Sequence, residues 1–584
     1  MGWATSLFLY GAALLFIPLA AAQTAASSDF EGLLHQGFQL HQQQRYSEAL
    51  PLLRRAWKMQ PRDYFANLLV GIDLLRTGQG AEAVDFLKTA AKLRPQEEIP
   101  PEYLGEAHAG LKDYAEAAEA YLRAVAIAPQ SSQAAVAMVD YSLARFAQIS
   151  SQLRSSKQGL AAEYRVEALA HPLTDSGRRK LLRQSVEIDG ADAEAWSELA
   201  LADLAAGDRP STESDVQRAL QLNSDCLRAW LVQALLAAQA DDWKSAAERL
   251  NALGGRSRGR LALSSGLWPQ SLQPSNSGAV TGAAEIFLNC VRAGCSPEKL
   301  LAQLPPRRVE SKVPAGQLFA EQRWELIMAY PPPPPSQKQA WFQRGSALAQ
   351  LEDCDRATPA LERSLGDGAQ DHRALFLLAV CYAKSAGAVA ARLQQGGGED
   401  AVGHTMRGDV LLRLQANGAG AIDEYQAALR LHPDDPRTLE RLAEAQFATR
   451  DNDAARASAQ AALKLDSHRT SAQRTLAKIS MQERDYKTAL PLLKELAARD
   501  PRDLSVRVDL ATAFAQTGAL QDALQNLIPV LKAGYPDEKG SLHYLLGTVL
   551  RDLGRMPEAK EAFAIARELS DEYQQNSRGR NAQP

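Results

Sequence analysis

The feature that most constrains this chain is a set of four small residues that recurs every 34 residues. The first copy consists of Gly37, Ala49, Ala56 and Pro61, at relative positions 0, 12, 19 and 24. The next two copies follow without a gap and keep the same offsets: Gly71, Ala83, Ala90 and Pro95, then Gly105, Ala117, Ala124 and Pro129. One such quartet arises by chance with a probability of roughly 10⁻⁴, so three in succession indicate a structural repeat.

Each copy resembles the tetratricopeptide repeat, a helix–turn–helix of 34 residues. In that family the glycine lies on the first helix where it crosses the second, and the first alanine lies on the second helix at that crossing. A larger side chain there would push the helix axes apart. The proline follows the second helix, where its missing N–H costs little and its ring prevents continuation. The resemblance implies an all-α fold, an α-solenoid whose helix pairs form a right-handed superhelix.

Weaker copies of the pattern predict how the rest of the chain is divided. Residues 23–131 form three regular repeats, and 132–256 form degenerate repeats with one inserted helix. Residues 338–571 form a C-terminal array of repeats, and the polar tail 572–584 is predicted to be disordered. Between the arrays, 257–337 is an irregular helical and loop segment containing five consecutive prolines, which favour a stiff spacer. We therefore expect two arrays joined by an irregular segment.

The first 22 residues have the character of a secretory signal peptide. An almost wholly apolar run from Leu7 to Leu19 is followed by three alanines that end at Ala22, which predicts cleavage after that residue. No lysine or arginine precedes the run, and Trp3 to Ala22 is long enough to be an uncleaved anchor helix instead. Under both interpretations the remaining chain leaves the cytoplasm, so we expect a periplasmic or secreted protein. We expect no membrane span after cleavage.

Composition excludes two further classes of chain. Apolar residues make up 46% of the sequence and charged residues 23%, which is ordinary for a folded protein and excludes wholesale disorder. The net charge is −4 over 584 residues. A chain so close to neutrality has no general electrostatic reason to bind nucleic acid or an anionic membrane, and we expect neither as a partner.

The five cysteines are too few for a disulfide framework in a chain of this length. Cys226, Cys354 and Cys381 lie in helical patterns and are predicted to be core residues. Cys290 and Cys295 are five residues apart, and either a small disulfide loop or two thiols fits that spacing.

The sequence lacks the common motifs for catalysis and cofactor binding. There is no G-x-x-x-x-G-K-[ST] phosphate loop, no G-x-G-x-x-G after a strand and no G-x-S-x-G elbow. No histidine pair has the spacing of a zinc peptidase. We therefore predict that the chain is not an enzyme and has no catalytic, cofactor or metal site. The alternative is a hydrolase or transferase whose site lies in the irregular segment 257–337, flanked by repeats.

The resemblance implies that the first helices line a concave groove that holds a peptide or another protein. The groove candidates near the amino terminus are apolar: Leu34, Phe38, Phe65, Leu68 and Ile72. The alternative for them is core packing between neighbouring first helices. The candidates in the C-terminal array are charged: Arg437, Glu440, Glu444, Arg474 and Lys478. The alternative for these is a solvated face. The expected function is a non-enzymatic scaffold for a protein or peptide partner, in an envelope assembly, secretion or polysaccharide-export complex.

Overall fold

The computed structural model describes most of the chain downstream of the predicted signal peptide. The described residues are 25–581, without 130, 155, 172–174, 225, 241, 243–244, 246–248, 250–313, 321–326, 329, 366–370, 396–400, 502, 536 and 538. Every regular element among them is a helix, and most of the helices pair with a neighbour in the sequence. The predicted all-α fold of stacked helix pairs is confirmed. The chain divides after residue 398 into two compact units.

The first unit contains sixteen described helices. They are α1 (Ala25–Gln42), α2 (Tyr46–Met59), α3 (Tyr64–Arg76), α4 (Gly80–Leu93), α5 (Ile99–Leu111), α6 (Tyr114–Ile127), α7 (Ser132–Leu153), α8 (Lys157–Ala170), α9 (Ser176–Ile188), α10 (Ala193–Ala205), α11 (Arg209–Leu222), α12 (Leu227–Gln239), α13 (Ala315–Ala320), α14 (Lys338–Gln350), α15 (Cys354–Leu365) and α16 (His372–Gln395).

The second unit contains ten described helices, which form five pairs. They are α17 (Ala401–Leu414), α18 (Gly418–Leu431), α19 (Pro436–Ala448), α20 (Asn452–Leu465), α21 (Thr470–Gln482), α22 (Tyr486–Arg499), α23 (Leu504–Gln516), α24 (Leu520–Lys532), α25 (Ser541–Asp552) and α26 (Met556–Asn581). The last helix runs through the tail that was predicted to be disordered from residue 572. The disorder predicted for 572–584 stays a prediction, and no proline interrupts the helix after its first turn.

The close helix crossings predicted from the glycines are present. A Cβ atom added to Gly37 or Gly71 would lie 2.5–2.8 Å from side-chain carbons of Leu53 or Leu87 on the second helix of the same pair. At Gly105 the neighbour is the ring of Tyr121, at 2.8 Å. These distances are shorter than a van der Waals contact, so each first helix reaches its partner only because the glycine has no side chain.

Aspartates start many of the first helices. The side chain of Asp63 accepts a hydrogen bond from the backbone N–H of Ala66, 2.8 Å away, at the start of α3. Asp192 caps α10 in the same way, Asp435 caps α19 and Asp503 caps α23. A carboxylate at this position satisfies N–H groups that have no partner within the helix and interacts favourably with the helix dipole.

The seventh helix pairs with a helix far along the sequence. Residues 132–158 showed no clear repeat register, and in the structure α7 packs more extensively against α16 than against its sequence neighbours α6 and α8. Helix α15 contacts α6, and α16 also contacts α8. Residues 338–395 therefore belong to the first unit, whereas the sequence grouped 338–571 as one C-terminal array. The difference arises because the α7–α16 pairing joins segments too distant for a local pattern to reveal.

A buried polar network lies at this junction. The guanidinium of Arg145 on α7 donates to both carboxylate oxygens of Glu362 on α15, with Nη2 to oxygen distances of 2.6 and 2.9 Å. The hydroxyl of Tyr382 on α16 donates to Glu362 at 2.8 Å and lies 3.2 Å from the hydroxyl of Tyr141. Arg145 and Glu362 have exposed side-chain fractions of 6% and 4%. The network thus satisfies charges that would be costly to bury alone.

Helix α16 is long and apolar enough to cross a membrane over His372–Arg392, judged by length and composition. No such span was expected after the signal sequence. In the structure most of this stretch is buried inside the first unit, and the side chains of Leu378 and Tyr382 are fully covered. Its apolar character serves the contacts with α7, α8 and α15.

Candidate partner-binding surface

The first helices of the second unit are linked by a ladder of ion pairs. Arg441 on α19 lies 3.3 Å from Asp409 on α17, measured from Nε to Oδ1. The next rung joins Glu440 to Arg469, just before α21, and Arg474 Nη2 lies 2.7 Å from Asp503 Oδ2, just before α23. Each rung joins residues roughly one repeat apart, so the ladder fixes the spacing of successive pairs.

Four of the five predicted charged groove residues belong to this ladder. Arg437 lies 3.6 Å from Asp409, Glu444 contacts arginines of α17 and α19, and Glu440 and Arg474 form the rungs already described. Of the five, only Lys478 is exposed. The structure thus brings these residues together, but most of their charge is used within the chain rather than offered to a partner.

Exposure increases along the first helices of the second unit. The equivalent position, three residues before the packed small residue, is held by Thr405, Glu440, Arg474, Val508 and Tyr544. The first two are 5% exposed, the next two are half-buried, and Tyr544 is 62% exposed. The Tyr544 ring packs on Phe563 of α26, with centroids 5.5 Å apart, and leaves its other side open. The accessible part of this surface is therefore its carboxyl-terminal end.

The predicted apolar residues near the amino terminus are packed in a core. Leu34, Phe38, Leu68 and Ile72 have exposed fractions between 2% and 8%, and they belong to one hydrophobic cluster formed by α1 to α5. Phe65 is half-buried beneath the guanidinium of Arg94, 4.9 Å from the ring centre. The structure therefore corrects the expected exposed apolar stripe: neighbouring first helices approach closely enough to cover these side chains.

Three glutamates form a stripe on α5 that sequence reasoning did not select. Glu98, which directly precedes α5, Glu102 and Glu106 are spaced four residues apart and therefore share one side of the helix. Glu106 pairs with Arg76 of α3. Glu102 is only 4% exposed, accepts a hydrogen bond from Gln133 of α7 at 3.3 Å, and has a second oxygen, Oε2, with no hydrogen-bond partner. The four-residue spacing was the available signal, although it also fits a solvated face.

Burial governs the protonation of Glu102. Its removal from water, together with the nearby charges of Glu106 and Glu98, raises its pKa to about 7. The hydrogen bond from Gln133 and the charge of Arg76 act in the opposite direction but do not compensate. Glu102 is thus a buried carboxyl group that titrates near neutral pH.

The middle of the first unit contains a cluster of ion pairs in which arginines and carboxylates neutralise one another. Arg165 of α8 donates to both oxygens of Glu198 on α10 at 3.0 and 2.9 Å, and to Asp192 at 2.6 Å. Arg228 of α12 contacts Glu198 at 3.1 Å. Burial alone would raise the pKa of Glu198, but the two arginines outweigh it and lower the pKa. Because its charges are matched, this cluster has a structural role.

The described residues contain no group of three or more His, Cys, Asp or Glu side chains that could hold a metal ion. Cys226, Cys354 and Cys381 are buried, as predicted for core residues. Cys290, Cys295 and most of the segment 257–337, where an enzyme site was the alternative, lie outside the described residues.

Comparisons with known proteins agree with the architecture. One tetratricopeptide repeat model matches residues 40–98, 102–132, 342–395 and 405–470, and a second matches 480–539. A search of the curated proteins gave no match.

Several solved structures are similar to parts of the chain. MamA AMB-1 is 21% identical, with 29% of this chain and 92% of that chain covered and a TM-score of 0.27. MamA from Desulfovibrio magneticus RS-1 is 21% identical, with 30% and 97% covered and a TM-score of 0.27. YrrB, a TPR protein with an unusual peptide-binding site, is 16% identical, with 33% and 97% covered and a TM-score of 0.29. Because the repeat models match both units, and the helices form the pairs that these models describe, the chain belongs to the tetratricopeptide repeat proteins.

Proposed function

We propose that this protein is an exported, non-enzymatic scaffold that holds a peptide or protein partner on the first helices of its second unit. The observation that carries the proposal is the exposure of Tyr544, whose aromatic ring faces solvent at a position that is buried or half-buried in earlier pairs. Tyrosine offers a large contact area with few rotatable bonds, and it is enriched among residues that dominate binding energy. Exposed Lys478, on the first helix two pairs earlier, supplies a charge that can steer a partner.

Partner capture tests the proposed surface. The full chain without residues 1–22 is used to capture proteins from an envelope fraction, which are then identified by mass spectrometry. We expect Tyr544→Ala to weaken binding of the retained partner by about 1–3 kcal/mol, roughly 5–150-fold in affinity, because an exposed aromatic side chain is lost. The control is Tyr573→Ala, an aromatic side chain on the carboxyl-terminal half of α26. A partner that binds wild type and Tyr544→Ala equally would refute this surface, and a chain that retains nothing would refute the scaffold function.

Export rests on the apolar run of residues 7–19 and the three alanines after it. We propose that the protein acts in the periplasm or outside the cell, within an assembly, secretion or polysaccharide-export complex. Fusing residues 1–40 to a reporter enzyme that is active only after export tests the first step. Activity is expected, and replacing Leu14 and Leu15 by arginine should abolish it because a charged segment no longer acts as an apolar signal. A reporter that stays inactive with the native segment would contradict export.

A further inference from the structure

The carboxylates of α5 lack enough basic partners within the described chain. Glu106 is paired with Arg76. Neither Glu98 nor Glu102 forms an ion pair with any residue that the structure describes. Gln133 reaches only one oxygen of Glu102. The α5 stripe therefore carries unmatched negative charge, in contrast to the Arg165 cluster and the ladder of the second unit.

Glu102 supplies a second and independent sign of a ligand. It is more than nine-tenths buried, yet its Oε2 atom has no hydrogen-bond partner. A buried carboxylate oxygen without a donor costs several kcal/mol when the group is charged. Glu102 lies three residues before Gly105 in its helix. Tyr544 lies three residues before Gly547 in the last pair, so the two side chains hold equivalent positions. The unpartnered oxygen thus belongs to the side of the pair that carries the proposed partner surface.

One apolar side chain lies beside the carboxyl group of Glu102. Ile99 lies one helical turn before Glu102 on the same side of α5, is half-buried and packs against the hydrophobic cluster of α1 to α5. Lysine and arginine combine an aliphatic stem with a charged end, and they bind where apolar surface leads to a carboxylate.

We propose that the α5 stripe is a binding site for one basic side chain, arginine or lysine, of a peptide partner. Two carboxyl groups, Glu98 and Glu102, would receive the cation. Because protein atoms cover Oε2 of Glu102, its side chain would turn outward on binding, so that Oε2 accepts from an N–H of the cation. A guanidinium suits this role because its paired donors match the two oxygens of a carboxylate. The proposal rests on the proposed function, since it names the chemistry of a partner that a scaffold would hold.

The probe is a displayed library of random 12-residue peptides, selected on the full chain without residues 1–22. Wild type should enrich peptides that contain arginine or lysine at one position. The best peptide is then synthesised with arginine and with citrulline, its neutral analogue of the same shape. We expect the arginine peptide to bind wild type about tenfold more tightly or better, since charged hydrogen bonds are stronger than neutral ones. In Glu102→Gln this preference should fall to about twofold or less.

A matched control separates the site from general charge. Asp85→Asn removes one exposed negative charge from α4 and should keep the arginine preference unchanged. Thermal unfolding of all variants checks the fold, and Glu102→Gln should be at least as stable as wild type because it removes a buried charge. An arginine preference that survives in Glu102→Gln would overturn the site. Peptides selected without basic residues would overturn this inference and leave the scaffold function standing, whereas a chain that selects no peptide would refute both.

The pH dependence of binding gives a second measurement. The groups that act on Glu102 are Glu98 and Glu106 on its own stripe, Arg76 of α3 and the uncharged Gln133 of α7; the hydroxyls of Tyr103 and of Tyr121 on α6 are also within its electrostatic reach. Glu102 is expected to change charge between pH 6 and 8. The arginine peptide should therefore bind wild type up to about tenfold more tightly at pH 8 than at pH 6. Glu102→Gln should show no such gain, and an equal gain in both proteins would overturn the assignment.

Discussion

At the scale of single residues, the first unit keeps some acidic side chains in surroundings that favour their neutral form. Glu102 is one example, and Asp215 of α11 is another. Burial, followed by repulsion from Asp203 on α10, raises the pKa of Asp215 to about 7 from an ordinary value of 3.8. Asp203 is itself fully buried, and Arg183 donates to it at 3.3 Å. Arg179 also lies 3.7 Å from Asp203. Even beside these arginines, two adjacent buried carboxyl groups cannot both ionise without cost.

Asp215 therefore makes the stability of the first unit depend on pH. Its pKa is higher in the folded than in the unfolded chain, so the folded state binds the proton more tightly. The stability it contributes is present below pH 4 and is lost as pH rises toward and through 7. Asp215→Asn should raise the free energy of unfolding at pH 8 by about 1–2 kcal/mol and change it little at pH 4.

Urea unfolding at several pH values between 4 and 8 measures this effect. Glu102 titrates over the same range, so Glu102→Gln should remove a further part of the slope. Asp85→Asn, which removes a charge from an exposed site, serves as the control. Parallel stability curves for wild type and Asp215→Asn would show that Asp215 titrates normally in the folded chain.

At the scale of elements, the junction of α7, α15 and α16 depends on the Arg145–Glu362 pair. Removing one partner of a buried pair leaves the other charge without compensation. We expect Arg145→Met to lower the free energy of unfolding of the first unit by about 3–5 kcal/mol. The double variant Arg145→Met with Glu362→Leu should recover much of that loss, because it leaves neither charge behind.

The neighbouring pair Arg363–Glu119 provides the comparison. It joins α15 to α6 at 2.7 Å, but half of the Glu119 side chain is exposed. Breaking it with Arg363→Met should cost less than about 1 kcal/mol, as for other exposed pairs. A double-mutant cycle of urea unfolding at each pair gives both coupling energies. Additive losses at Arg145 and Glu362 would contradict the role assigned to the buried pair.

At the scale of the whole molecule, the sequence predicted what depends on local spacing. The positions of Gly37, Gly71 and Gly105 predicted the pairing, the crossings and the family, because each crossing is formed within 34 residues. The α7–α16 pair was not predictable in this way, since Tyr141 and Tyr382 meet across 241 positions. The apolar groove candidates failed for a related reason: whether a first helix is covered depends on the approach of its neighbours. The sequence did not reveal Glu102 for the same reason, because its burial depends on adjacent helices rather than on its own segment.

The α7–α16 contact also determines where the chain can change length. Because α16 completes a pair begun by α7, residues 154–371 lie in sequence between the two helices of one pair. Closing a loop twice as long costs only about 0.6 kcal/mol more. We therefore expect related chains to differ in length between α8 and α14 more than within α1 to α7, because helix pairs can be gained or lost there without breaking the α7–α16 pair.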